Sequence, residues 1–209
     1  TMIEAFKKNQ DIHRLTASKV YGIPFDEVSK EQRSNAKVVN FGIIYGVSAF
    51  GLTQQTSLSM AEAKEMIANY FRTYPGIREY MDNMVAYGRE HGYVETMLGR
   101  RRYLREINSR NAMHRGIWER VAINAPIQGS AADMIKIAMI DIHNQFKKAQ
   151  LKSTMTLQVH DELVFDALID ELDTLKPLIL ENMKAALPLP HDVPVEAEVG
   201  TGENWLEAH

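Results

Sequence analysis

Residues 31–46 (EQRSNAKVVNFGIIYG) constrain this chain more than any other stretch. The stretch contains no proline, and Gly46 stands where a helix would end, so the pattern predicts an α-helix. Four of its side chains recur every four residues. Because each such step advances about 40° around a helix of 3.6 residues per turn, the four drift across roughly 120° of one face. In chain order they are Arg33, Lys37, Phe41 and Tyr45.

This stripe has two cations at its N-terminal end and two aromatic rings at its C-terminal end. Cations can hold a polyanion such as a triphosphate, and flat rings offer a surface to a base or a sugar. Spacing alone favours a simpler interpretation, in which the rings pack into a core and the cations reach into solvent. However, two valines and two isoleucines of the same stretch already supply a separate apolar surface. Its two glycines each lower helix propensity by about 1 kcal/mol relative to alanine, which a helix made only for packing would not need. The stripe is therefore a candidate binding face.

A second charged feature lies between Arg100 and Arg120. This segment holds seven arginines and two glutamates, a formal excess of +5 in a chain whose net charge is −3. Arginine is suited to bidentate contacts with phosphates. A solvated surface is the alternative interpretation, but the local excess favours a nucleic-acid backbone.

Composition limits the remaining possibilities. The 209 residues are long enough for one large domain or two lobes, and they include no cysteine. Disulfides, thiolate metal sites and cysteine nucleophiles are thereby excluded. No apolar run of membrane-spanning length and no signal peptide is found, so we expect a cytoplasmic protein without a membrane partner.

The order of the patterns predicts an α+β protein. The first 150 residues are nearly all helical in pattern, with one short hairpin near Val94 and a helix that ends or kinks at Pro126. The C-terminal third predicts a three-stranded antiparallel sheet with a helix on one face. Its expected strands are Thr154–Val159, Leu163–Ala167 and Val193–Val199.

Three polar residues, His160, Asp161 and Glu162, fall at the turn between the first two of these strands. Carboxylates at such a turn suit Mg²⁺, which prefers oxygen ligands and shares its coordination with substrate phosphates. A polar turn without function is the simpler alternative. A metal-dependent phosphohydrolase is another, with Asp141 and His143 as further ligands, but no spacing assembles a second pair. Phosphate-binding glycine loops, GxSxG and HExxH motifs do not occur.

Three segments in order resemble the family A DNA polymerases. RSNAKVVNFGIIYG is similar to the family's O-helix motif, ERVAINAPIQGSAAD to its minor-groove-reading segment, and LQVHDELVF to its second carboxylate motif. With GYVETMLGRRR between them and EVGTGENWLEAH at the end, the resemblance covers the whole chain. A helical nucleic-acid-binding module and a relative of the single-subunit RNA polymerases remain as alternatives.

The resemblance implies a fragment of a right-hand polymerase, with a mostly helical fingers lobe (1–92) followed by part of an antiparallel-sheet palm (93–209). Its partners would be primer–template DNA and deoxynucleoside triphosphates. His13, Arg33 and Lys37 would hold the triphosphate, with Lys37 able to protonate the leaving pyrophosphate, while Phe41 would lie against the deoxyribose and Tyr45 near the templating base. Arg120, Asn124 and Gln128 would contact the minor groove, and His160 would support the primer terminus. Asp161 would bind the catalytic Mg²⁺ ions, with Glu162 as a nearby support.

One part of the family pattern is missing from this sequence. Family members carry an upstream strand that supplies a second metal-bridging aspartate, and no similar acidic strand motif occurs here. The two-metal site would therefore be incomplete. We expect the chain to be a C-terminal fragment, lacking the N-terminal part of the same polymerase, and inactive in DNA synthesis by itself.

Overall fold

The computed structural model describes residues 2–208, which form two compact units, Thr1–Gln128 and Gly129–His209. Helices dominate both, and each unit has one two-stranded antiparallel sheet among the described residues. This confirms the predicted α+β class. None of the described helices is long and apolar enough to cross a membrane. The elements are α1 (Met2–Lys7), α2 (Ile12–Tyr21), α3 (Lys30–Ile44), α4 (Ala49–Thr53), α5 (Met60–Thr73), α6 (Pro75–His91), β1 (Tyr93–Glu95), β2 (Arg101–Tyr103), α7 (Ala112–Lys148), β3 (Thr154–Val159), β4 (Glu162–Asp166), α8 (Leu172–Ala185) and α9 (Trp205–Ala208).

Polar caps fix where the helices of the first unit begin. The Asp11 carboxylate caps α2, and Gly22 ends that helix in the left-handed conformation, at φ 69°. Ser29 and Gln32 form a reciprocal capping box at the start of α3, so the central helix begins slightly before the predicted Glu31. Ser59 and Glu62 form a second capping box at the start of α5.

The core of the first unit lies between α2, α3 and α5. Ala36, Val39 and Ile43 recur along one face of α3 and are buried there. Tyr70 of α5 and Leu52 of α4 are the largest of its almost fully buried side chains. Because this apolar face is turned inwards, the opposite stripe of α3 stays outside the core.

The predicted short hairpin near Val94 is confirmed as β1 and β2, which pair with Tyr93 opposite Tyr103. Val94, Leu104 and Ala122 form a small buried cluster beneath it. Gly88 of α6 has no space for a side chain, because a Cβ there would lie 2.6 Å from the Leu104 Cδ1 atom. The hairpin is thus packed tightly against α6 and the first part of α7.

The sequence predicts that a helix ends or kinks at Pro126, and an end there is wrong, because α7 continues through the proline to Lys148. A proline inside a helix removes one N–H donor and crowds the carbonyl groups of the preceding turn. The Tyr80 hydroxyl of α6 donates a hydrogen bond of 2.8 Å to one of those carbonyls, that of Ile123. This contact ties α6 to the turn of α7 just before the proline, where the isolated sequence favours a break.

The second unit packs α8 and the β3–β4 hairpin against the C-terminal half of α7. Ile142 and Phe146 of α7 share a core with Leu175 and Ile179 of α8. The strands of the hairpin agree with the prediction to within one residue.

The predicted third strand, 193–199, is wrong. It forms no β-ladder with any described residue, although side chains along it alternate between half-buried and exposed as in a strand. A strand needs a partner for its backbone groups, and Pro194 lacks an N–H for such pairing. The segment is instead held to α8 by an ion pair between Lys184 Nζ and Glu196 Oε2 at 2.8 Å.

The two compact units meet at Gln128 within α7, whereas the predicted fingers–palm boundary follows residue 92. The compact units are divided by how densely residues pack, whereas the subdomains of a polymerase are defined by their role, so the two boundaries need not coincide. The predicted boundary stays a prediction.

Candidate nucleotide and nucleic-acid site

Arg33 is anchored to the start of α2 by Asp11. One oxygen of the Asp11 carboxylate accepts the backbone N–H groups of His13 and Arg14, each at 3.0 Å, and the other accepts Arg33 Nε at 2.6 Å. Partial burial would raise the pKa of Asp11, but the hydrogen bonds from Arg33 and the backbone outweigh it and hold the pKa below its usual value. Asp11 is therefore a charged partner that fixes the Arg33 guanidinium, a role that sequence reasoning missed because the two lie 22 residues apart.

His13 lies beside the same stripe of α3. Its Nδ1 atom is 3.0 Å from the Asn40 amide nitrogen, and its ring centre is 5.5 Å from that of Phe41. Burial, followed by the charges of Arg33 and Lys37, lowers the pKa of His13, and the Asp11 charge opposes this only in part. Burial and the two cations therefore favour the neutral form of the imidazole.

The aromatic half of the stripe faces outwards. Phe41 and Tyr45 each expose 52% of their surface, so neither belongs to the core. Together with Lys37 they line an open groove of about 440 Å³, in which Val38, Gly42 and Val47 complete the apolar wall. A groove with a cation at one end and exposed rings along its length can accept a molecule that is both anionic and flat.

The C-terminal end of α3 meets the first half of α7. Gly46 follows the helix in the left-handed conformation, at φ 73°, and a Cβ at this position would lie 2.6 Å from the Arg120 Cδ atom. The Gln128 amide nitrogen donates a 3.3 Å hydrogen bond to the Tyr45 hydroxyl. Asn124 lies one turn from each of Arg120 and Gln128 and is half-buried. The first unit thus brings the three predicted α7 residues to the end of the aromatic stripe.

The arginine segment divides into engaged and exposed side chains. Arg101 Nε is 2.8 Å from Glu95 Oε1, and its guanidinium carbon lies 4.3 Å from the centre of the Tyr93 ring. Arg115 is paired less closely with Glu119, at 3.6 Å. Arg120 is exposed, although its aliphatic part packs beside Gly46. Like Arg120, Arg102, Arg105 and Arg110 are exposed without an ion pair to any residue from 2 to 208. They are the cations of the segment most available to phosphates.

The acidic hairpin belongs to the second unit. Val159 pairs with Glu162, so the connecting turn consists of His160 and Asp161. His160 has a φ of 53°, and its backbone carbonyl accepts a 2.7 Å hydrogen bond from the side-chain amide of Gln158. Asp161 is exposed, with no hydrogen bond or ion pair to another residue in the described part of the chain.

Asp161 fits one part of a magnesium site. An exposed carboxylate at a tight turn keeps its oxygens available to a hard cation that retains several waters. Residues 2–208 contain no group of three or more histidine, aspartate or glutamate side chains placed to hold a metal. The chain therefore offers a single carboxylate ligand at this turn, with Glu162 as its neighbour.

Known proteins match this chain over nearly its whole length. The family model for DNA polymerase family A matches residues 1–207. DNA polymerase I of Caldicellulosiruptor bescii is 47% identical over 206 residues, which are 99% of this chain and 24% of that protein. DNA polymerase I of Mycobacterium tuberculosis is 47% identical over 204 residues, 98% of this chain and 22% of that protein.

A solved structure agrees with the sequence relatives. The POL domain of Pol1 from M. smegmatis, in complex with DNA primer-template and dNTP, superimposes with a TM-score of 0.93 at 46% identity. The match covers 99% of this chain and 36% of that one. The chain spans about a quarter of the length of the curated relatives it matches.

The resemblance found in the three sequence motifs is thereby confirmed. Motifs, fold and comparisons agree over both units, and the chain belongs to DNA polymerase family A.

Proposed function

We propose that this chain is the C-terminal part of a DNA-directed DNA polymerase, which transfers deoxynucleotides to a primer 3′-hydroxyl under the direction of a template. The observation that carries the proposal is the face formed by α2 and α3, where His13, Arg33 and Lys37 lead into the exposed rings of Phe41 and Tyr45. The family membership and the DNA-bound and dNTP-bound structural relative support it. We expect the protein to act in replication and repair in the cytoplasm.

The cationic end of this face would hold the triphosphate. Arg33 is fixed by Asp11, so little side-chain freedom is lost when it contacts a phosphate. Lys37 lines the groove one turn further on, where it could neutralise charge that develops on the leaving pyrophosphate and donate a proton to it. Such a contact strengthens in the transition state and therefore accelerates the chemical step.

The aromatic end would receive the nucleoside. Phe41 offers an exposed ring for the deoxyribose, and Tyr45 lies at the end of the helix for the templating base. Arg120, Asn124 and Gln128 would contact the minor groove of the primer–template. Acceptors there are shared by all correct base pairs, so the contacts can test pairing without sequence preference.

Asp161 would hold the catalytic Mg²⁺, with Glu162 as its support and His160 at the primer terminus. When bound, Mg²⁺ neutralises charge on the phosphates and on the attacking oxygen. Because the sequence lacks the other metal-bridging carboxylate of the family, we propose that the segment acts only when joined to the N-terminal part that the longer relatives possess.

Replacement of Lys37 tests the proposal. In the full-length polymerase that carries this segment, Lys37→Ala should slow single-turnover incorporation by about two to three orders of magnitude, the range seen when one charge-stabilising donor is lost. Duplex affinity, measured by fluorescence anisotropy, should change little, since the lysine acts on the nucleotide.

Lys30→Ala is the matched control, because Lys30 is an exposed lysine of the same helix about 10 Å away along its axis. It should incorporate nucleotides at the wild-type rate. An unchanged rate in Lys37→Ala with weaker duplex binding would assign Lys37 to the DNA backbone and would contradict the proposed role.

A further inference from the structure

A chain of hydrogen bonds runs from the core of the first unit to His13. The Thr16 hydroxyl lies 3.2 Å from both the Tyr74 hydroxyl and the Asn40 amide oxygen, and the Asn40 amide nitrogen lies 3.0 Å from His13 Nδ1. Thr16, Asn40 and Tyr74 are all buried. Because a buried polar group left without a partner is costly, each of these atoms has a strong preference for the arrangement that satisfies it.

Each hydrogen bond in this series can have only one donor, and the donors can be assigned in order from Tyr74 to His13. The single Thr16 hydroxyl proton is directed to the Asn40 oxygen, so the Tyr74 hydroxyl must donate to Thr16. The amide nitrogen of Asn40 can only donate, which makes His13 Nδ1 an acceptor. A neutral imidazole carries its proton on one nitrogen alone, so the proton of His13 lies on Nε2.

His13 Nε2 is therefore a donor, and it has no hydrogen-bond partner in the described region, 2–208. The charges of Arg33 and Lys37 act on this ring, and Phe41 packs beside it. An acceptor that fits between two cations and an N–H group is an anionic oxygen, such as that of a phosphate.

We propose that Asn40, held by Thr16 and Tyr74, is a positioning residue that fixes His13 as its Nε2–H tautomer, so that a neutral imidazole donates to a phosphate oxygen of the nucleotide held by Arg33 and Lys37. The inference deepens the proposed function and rests on it for the identity of the phosphate. A neutral donor adds a third contact without a third positive charge, which avoids repulsion with the two cations when no nucleotide is bound.

The tautomer can be measured without any ligand. Long-range proton–nitrogen correlation spectra of the ¹⁵N-labelled chain, at mildly alkaline pH where imidazole is neutral, distinguish a protonated from an unprotonated ring nitrogen. The chain has seven histidines, so the His13 signals are assigned by their loss in His13→Asn. We expect Nε2 of His13 to be protonated and Nδ1 to be unprotonated.

Asn40→Asp should reverse this pattern, because a carboxylate can only accept and so draws the proton to Nδ1. Asn35→Asp is the matched control, since Asn35 is another buried asparagine of α3 but bonds to the Tyr21 hydroxyl instead. It should leave the His13 signals unchanged. A protonated Nδ1 in the wild-type chain, or signals that do not respond to Asn40→Asp, would overturn the inference.

Thr16→Val provides a second test that introduces no charge. Without the Thr16 proton the Asn40 amide can turn over, so both tautomers should be populated. The apparent Kd for dATP should then rise in inverse proportion to the measured Nε2–H fraction, doubling when that fraction falls to about one half. An unchanged Kd beside a mixed tautomer would show that the tautomer does not matter for binding and would overturn the inference.

Two titrations of the wild-type chain distinguish a nucleotide phosphate from a phosphate of the DNA backbone. Added dATP should shift the His13 Nε2 signal, and a blunt DNA duplex should not. A shift caused by the duplex alone would overturn the assignment to the nucleotide. If dATP binds neither this chain nor the full-length polymerase, the proposed function fails for this face, whereas the ligand-free spectra test the role of Asn40 independently.

Discussion

His160 holds a backbone conformation that histidine seldom adopts. Its φ of 53° is in the left-handed region, where a residue with a side chain is strained by about 1–3 kcal/mol. The strain allows β3 and β4 to be joined by only two residues, and the hydrogen bond from Gln158 to the His160 carbonyl supports the turn. The result at the scale of single residues is that Asp161 is presented to solvent on a two-residue turn.

Asp161→Asn should abolish incorporation by the full-length polymerase and leave the fold intact. The amide retains the shape of the carboxylate but loses the charge that attracts Mg²⁺, and the exposed side chain contributes little to stability. Single-turnover incorporation and thermal unfolding followed by circular dichroism measure the two effects.

Asp166→Asn is the control for this substitution. Asp166 is an exposed carboxylate at the opposite end of the same hairpin, paired across the strands with Thr154. It should retain wild-type incorporation. If both variants lose activity equally, the loss would come from the hairpin as a whole, and the metal role of Asp161 would be wrong.

At the scale of elements, the end of α3 is shaped by one glycine. Gly46 lies at φ 73°, and the aliphatic part of Arg120 fills the space where its side chain would be. This contact places Arg120 of α7, a predicted minor-groove residue, against the end of α3. Gly22 ends α2 in nearly the same conformation, at φ 69°, but nothing lies within 4 Å of its missing Cβ.

Comparing the two glycines distinguishes the cost of the left-handed backbone conformation, which both share, from the cost of a steric clash, which only Gly46 would meet. Gly22→Ala should cost about 1–2 kcal/mol, since alanine must adopt the left-handed conformation. Gly46→Ala should cost about 1–3 kcal/mol more, because the new methyl group also collides with Arg120. Chemical denaturation followed by circular dichroism gives both free energies of unfolding, and equal losses would show that Arg120 simply moves aside.

At the scale of the whole molecule, charge is distributed unevenly. The chain has a net charge of −3, yet Arg102, Arg105 and Arg110 stand exposed in one segment without an ion pair in the described structure. Arg101 and Arg115 are partly neutralised by Glu95 and Glu119. Fewer positive charges are therefore available for the predicted phosphate contacts than the formal excess of +5 indicates.

Binding of a DNA duplex by this chain should be weak, independent of sequence and steeply dependent on salt. If Arg102, Arg105 and Arg110 contact phosphates, the slope of log affinity against log salt should be about −3, from 0.9 per contact. Replacement of Arg102 and Arg105 by alanine should flatten the slope by about 2. Fluorescence anisotropy across a salt series measures both slopes.

Arg78→Ala is the control, because Arg78 is paired with Asp82 and lies over the Phe71 ring in another part of the first unit. Its slope should equal that of the wild type. A wild-type slope near zero would mean that the arginine segment is a solvated surface.

Local patterns in the sequence determined most of the elements and the candidate residues. Caps such as Asp11 and Ser59, and the helix-ending Gly22 and Gly92, act through bonds between near neighbours, so they can be read from the chain itself. The period of the stripe on α3 likewise predicted which side chains share a face. The motifs then identified the family.

Tertiary structure alone decided the features that depend on distant partners. Tyr80 contacts α7 in the turn before Pro126 from a different helix, and the Arg33 anchor depends on Asp11. The missing third strand has the right side-chain period but no described strand to receive its hydrogen bonds. Asn40 could have been noticed in the sequence as a polar residue among the apolar positions of α3. Its partners Thr16 and His13 lie on another helix, so the sequence does not show what Asn40 bonds to. Periodicity records which way a side chain faces, and only the folded chain determines what it meets there.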